Sequence, residues 1–93
     1  MKPLQRSSLR GLRTFCAAAR YESFRLAAEE LFITSSAVSH QIKSLEQELG
    51  ILLFERGTRD LKLTSAGRSL YEDIDPLIEQ LEASLANYRE TGR

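Results

Sequence analysis

Ser35, Ser36, Ser39 and His40 are crowded into one short stretch of a 93-residue chain, and Lys43 and Gln47 follow at helical spacing. Three hydroxyls, an imidazole, an ammonium and an amide are either parts of a catalytic set or a polar surface for recognition. Ser39 and His40 are neighbours in sequence, and neighbours on a helix diverge by about 100°. They do not form a nucleophile and base pair. The carboxylates are scattered, and no glycine-rich phosphate loop follows a strand pattern. One Cys, Cys16, and one His, His40, cannot build a three- or four-ligand zinc site, and no disulfide can close within the chain. The residues therefore predict no enzyme, no metal and no cofactor. They leave recognition by hydrogen bonding.

The element that must present this cluster is a helix. Val38, Ile42, Leu45 and Leu49 share one face, Thr34 stands where an N-cap is needed, and Gly50 is placed to end the helix in the left-handed C′ conformation. A shift of two residues rotates by roughly 200°, so Ser36, His40, Lys43 and Gln47 take the opposite face, flanked by Ser35 and Ser39. A face made only for solubility more usually carries Glu and Lys than serines, which are mediocre helix formers. The rival reading is an ordinary solvated face.

Two shorter patterns precede it. Leu9, Leu12, Phe15, Cys16 and Ala19 predict a helix over about 8–20 with Ser7 or Ser8 as N-cap. Ser23 then caps a second, short one carrying Phe24, Ala27, Ala28 and Leu31. After Gly50, an apolar run over 51–54, turn residues over 57–60 and alternation over 61–64 predict a small β-hairpin. From Thr64, another N-cap candidate, Leu70, Ile74, Leu77, Leu81, Leu85 and Tyr88 make one apolar stripe down a long helix. Pro76 interrupts that helix, so a kink near Asp75 or a compensating partner is expected.

With 93 residues, 42% of them apolar, there is material for one small domain. The fold class is mainly α: a winged helix-turn-helix over 1–65 followed by a long linker helix over 66–93. In that architecture the helix after the tight turn enters the major groove of double-stranded DNA. Ser35, Ser36, Ser39 and His40 are the expected base contacts. Arg25, Thr34, Lys43, Arg56, Arg59 and Lys62 are the expected backbone contacts, the last three on a hairpin (about 53–63) that reaches a phosphate row or minor groove. Leu70, Ile74, Leu77, Leu81 and Leu85 form a dimer interface, because a domain of this size cannot cover the whole stripe; its first turns have helix 1 as the other candidate cover. Net charge is zero, yet eleven basic residues face seven acidic ones up to Arg68, and two face six thereafter. A basic contact end and an acidic tail follow from that split. A pure dimerisation scaffold is the rival function. No apolar run approaches the roughly 18 residues of a membrane span, and 1–8 lacks the apolar stretch of a signal peptide, so a cytoplasmic location is expected.

The sequence resembles a family at this point. Leu12 to Phe15, the run Ser23-Phe24-Arg25-Leu26-Ala27-Ala28-Glu29-Glu30-Leu31, the run Thr34-Ser35-Ser36-Ala37-Val38-Ser39-His40-Gln41-Ile42-Lys43-Ser44-Leu45-Glu46, Leu49-Gly50, Leu53-Phe54-Glu55-Arg56 and Leu63-Thr64-Ser65-Ala66-Gly67 are similar to the N-terminal domain of LysR-type bacterial transcriptional regulators. Within the family they are most similar to the branch of the glycine-cleavage and β-lactamase activators. The resemblance implies linker helices paired antiparallel in a dimer that presents two recognition helices to an interrupted palindrome, with a tetramer open for the full-length parent. It also implies that the usual C-terminal effector-sensing domain is missing, and hence that the chain is a fragment. Many members carry Gln-Pro or Gln-Ser where Ser35-Ser36 stands, and Arg where His40 stands, so base preference does not transfer from relatives.

Overall fold

The computed structural model describes residues 6–56 and 60–91, with residues 6–8 and 91 described by their backbone alone. Four helices follow one another: α1 (Arg6–Tyr21), α2 (Phe24–Leu31), α3 (Ser35–Leu49) and α4 (Ser65–Thr91). Helix α1 starts before both serines expected to cap it, so Ser7 and Ser8 lie inside the helix. The other caps are as the sequence predicts. Ser23 Oγ accepts the Leu26 amide at 3.1 Å, and Thr34 Oγ1 accepts the Ala37 amide at 3.0 Å. Gly50 closes α3 at φ 73°, its amide donating to Glu46 O at 2.8 Å.

Helix α1 is the centre of the fold. Phe15, Cys16, Ala17, Ala18 and Ala19 are all buried, together with Thr14. Small alanines let neighbouring backbones approach closely, and α2, α3 and α4 all pack on this one helix. Ala27 and Ala28 of α2, Val38, Ile42 and Leu45 of α3, and Ile78 of α4 complete the core. Burial holds the Cys16 thiol as the neutral form, pushing its pKa from 9.0 up to about 12, with the charge of Asp75 adding to the effect.

The hairpin is less than the sequence predicts. Among the described residues there is no strand, only one antiparallel bridge between Phe54 and Leu63, flanked by Glu55 N to Lys62 O (2.8 Å) and Thr64 N to Leu53 O (3.0 Å). Two short strands make a marginal sheet on their own. Here core packing does the holding: Leu53 and Phe54 are buried. The Phe54 ring meets Phe15 and Phe24 edge-on, each with centroids 5.6 Å apart. Thr64 joins this wing to α4, its hydroxyl donating to Leu52 O at 2.6 Å and accepting the Gly67 amide at 2.9 Å.

Helix α4 spans Pro76 without interruption. Pro76 is on the exposed side, where water can satisfy the Glu72 carbonyl that loses its helical donor. The single stripe expected along α4 divides in two. Leu70, Tyr71 and Ile74 pack against the core and Ile78 is buried, whereas Leu77, Leu81, Leu85 and Tyr88 are exposed. Among the described residues, no helix is long and apolar enough to cross a membrane.

Candidate nucleic-acid interface

Two contacts with α1 set the rotation of α3. Gly11 packs directly on α3, where a methyl would meet Gln41 O at 3.6 Å and Leu45 Cβ at 3.7 Å, ordinary contact distances. Thr14 Oγ1 donates to Gln41 Oε1. With Val38, Ile42 and Leu45 buried and Gln41 turned inward, Ser35, Ser36, Ser39, His40, Lys43 and Gln47 are all left exposed. The four residues expected to read bases therefore lie together on the bare first turns of α3. The amides of Ser35 and Ser36 precede the first intrahelical hydrogen bond, so this end carries outward donors and the positive end of the helix dipole.

The cations expected around this face are placed less uniformly. Lys43 is exposed on α3, and Lys62 is exposed on the returning arm of the wing. Arg25, near the start of α2, pairs with Glu29 one turn on at 2.7 Å, with both side chains largely exposed. An exposed pair of this kind is weak, so the guanidinium can exchange partners at little cost. Arg56 is paired with Glu46. Arg59 lies outside the described residues. Thr34 caps α3 through its oxygen lone pair and retains its O–H as a donor.

Glu46 is the residue that sequence reasoning missed. Leu49, expected on the inner face, is exposed, and Glu46 is buried instead, with 5% of its surface exposed. Its carboxylate accepts the Leu53 amide at 2.7 Å and the Phe54 amide at 3.3 Å, and it also receives the Arg56 guanidinium. Val38, Ile42 and Glu46 follow one another by single helical turns. A carboxylate in line with two core positions, ten residues before an arginine, was the available signal.

On α4, Leu77, Leu81 and Leu85 of the expected dimer interface are solvent-exposed, whereas Leu70 and Ile74 face their own core. Among the described residues, no group of His, Cys, Asp and Glu side chains is placed to hold a metal ion.

Comparison with known proteins agrees with this architecture. The model of the family described as "Bacterial regulatory helix-turn-helix protein, lysR family" matches residues 9–68. The glycine cleavage system transcriptional activator of Escherichia coli is 58% identical over 73 residues, covering 78% of this chain and 24% of that protein. The chain thus spans about a quarter of the length of the curated relatives it matches. Among solved structures, the BenM DBD in its complex with benA site 1 DNA has a TM-score of 0.79 at 36% identity, covering 91% of this chain and 96% of that one. The CbnR DBD in its DNA complex has a TM-score of 0.73 at 32% identity, covering 90% and 97%. The fold is a winged helix-turn-helix, and the chain belongs to the lysR family of bacterial regulatory helix-turn-helix proteins.

Proposed function

We infer that the chain is a sequence-specific binder of double-stranded DNA and the DNA-binding part of a longer bacterial transcriptional regulator. The observation that carries this reading is the bare first half of α3, where three serines and a histidine are exposed together with no carboxylate among them. Helix α3 enters the major groove, where Ser35, Ser36, Ser39 and His40 meet base edges. Arg25, Thr34, Lys43, Arg56, Arg59 and Lys62 meet phosphates, with the wing on the backbone or in the minor groove. Function divides at the end of the wing: residues 1–65 hold the DNA surface, and 66–93 hold the dimer contact. Two copies join through α4 and present their α3 helices to an interrupted palindrome, the protein acting in the cytoplasm. The full-length parent has the tetramer as a further state.

The module acts by binding rather than catalysis, since Ser39 and His40 occupy an exposed helix surface and diverge around it. DNase protection on genomic fragments, followed by anisotropy titration on the protected site, tests the reading. Binding is expected to weaken steeply with salt. Ser36→Ala and His40→Ala are expected to change preference at particular base pairs by about 1–3 kcal/mol. Lys62→Gln is expected to weaken matched and mismatched sites alike. If both kinds of variant act identically on matched and mismatched duplexes, the division into readers and positioners is wrong.

A further inference from the structure

We propose that Glu46 is a positioning residue for DNA binding: it touches no nucleic acid, yet it fixes the wing relative to α3 and so sets where the wing cations stand. The inference rests on the reading of α3 and the wing as a DNA surface, and it adds to it a negatively charged residue whose removal weakens the hold on a polyanion.

The geometry carries the argument. Among the described residues, a single bridge and its flanking hydrogen bonds tie the two arms of the wing to each other. The side chains of Leu53 and Phe54 anchor the first arm in the core, and the Glu46 carboxylate ties its backbone to the end of α3 by holding those two consecutive amides. A buried carboxylate bound to two amides and one guanidinium is directionally constrained, because each partner fixes a different lone pair. Arg56 completes the set from the solvent side, its own side chain 47% exposed against 4% for Glu46. The same carboxylate therefore sets the height of the first arm through Leu53 and Phe54 and, through the bridge, that of Lys62 on the returning arm. Helix α3 and the wing then approach a duplex as one rigid unit.

Electrostatics alone predicts the opposite behaviour. Deleting a negative charge near DNA should strengthen binding, whereas loss of the latch lets the wing cations drift from their phosphates. Glu46→Gln keeps the size of the side chain but removes the charge that Arg56 and the two amides share. The test is anisotropy titration of the full 93-residue chain on its protected site over a range of salt, with folding of each variant checked by circular dichroism. Glu46→Gln is expected to bind roughly tenfold more weakly, and its salt slope to flatten by about 0.9 for each phosphate that the wing no longer neutralises. In an Arg59→Gln, Lys62→Gln background the same substitution is expected to have little further effect.

An unchanged or tighter affinity with an unchanged slope overturns the proposal, as does an equal weakening in the background lacking Arg59 and Lys62. If Glu46→Gln is unfolded at the assay temperature, Arg56→Gln is examined by amide hydrogen exchange. The Leu53 and Phe54 amides are then expected to exchange faster while that of Ile42 stays protected, and unchanged exchange overturns the latch. Should the unsubstituted chain fail to bind any duplex, the DNA reading itself falls, an outcome distinct from failure of the latch.

Discussion

Replacing Gly67 by alanine sets two physical effects against each other. Gly67 lies in the first turns of α4, and alanine in a helix is favoured over glycine by about 1 kcal/mol. A Cβ at this position, however, would stand 2.1 Å from the Leu53 carbonyl oxygen, 3.0 Å from its carbon and 3.1 Å from Leu63 Cδ2. Carbon and oxygen normally approach no closer than about 3.3 Å, so α4 and the wing must separate by about 1 Å. The obstacle is backbone, and that carbonyl already accepts the Thr64 amide at 3.0 Å, so it cannot swing aside as a side-chain tip would. Overpacking of this severity costs about 3 kcal/mol. The net loss is then about 2 kcal/mol, which for a domain of this size lowers Tm by roughly 8–16 °C. Gly11 is the internal control, because a methyl there meets Gln41 O and Leu45 Cβ at 3.6 and 3.7 Å, ordinary contact distances. Gly11→Ala is expected to gain up to about 1 kcal/mol, raising Tm by about 4–8 °C. Thermal and urea unfolding followed by circular dichroism measure both. If Gly67→Ala melts at or above the parent, the close approach of α4 to the wing is refuted; a lowered Tm for Gly11→Ala overturns the account of Gly11 instead.

Leu81→Asp places a charge on the exposed stripe of α4, where Leu81 is 43% exposed, and is expected to halve the mass seen by light scattering with helix content unchanged. A dimer of undiminished mass would remove this stripe from the interface. Phe54→Ala deletes the ring that contacts Phe15 and Phe24, and is expected to cost about 3–5 kcal/mol in urea unfolding; a loss under 1 kcal/mol would show that the wing is not anchored through this residue. The Cys16 thiol ionises near 9.0 in its ordinary state and near 12 in the fold, so its contribution to stability is complete below pH 9 and is lost as the pH rises towards 12. Urea midpoints between pH 8 and 11 are expected to fall more steeply for the parent than for Cys16→Ala, and parallel slopes would contradict this account.

Most of the helical scaffold is legible from local pattern. Ser23, Thr34 and Gly50 act within four residues of themselves, so the side-chain or amide hydrogen bonds they make follow from spacing alone. The polar face of α3 was legible for the same reason, its rotation following from Val38, Ile42 and Leu45. The stripe on α4 was legible as apolar but not in its division. A step of four residues advances about 40° around the helix, so Leu70, Ile74 and Ile78 drift towards α1 while Leu77, Leu81 and Leu85 run along a separate face. Only the position of α1 distinguishes a covered leucine from a bare one.

The wing shows the other limit. Alternation over 61–64 predicts a hairpin, but among the described residues the ladder is a single bridge, with the Leu53 and Phe54 side chains claimed by the core and their amides by Glu46. Helix starts, helix ends and the polar character of the α3 face arise from interactions between residues at most a few positions apart, so they can be read from order and type. The burial of Glu46, the engagement of Arg56 and the contact that makes Gly67 necessary arise between groups seven to fourteen positions apart in the chain. Their energies depend on distances that exist only after α1 has gathered the other elements around it, because desolvation and backbone overlap act on atoms in space rather than on neighbours in sequence.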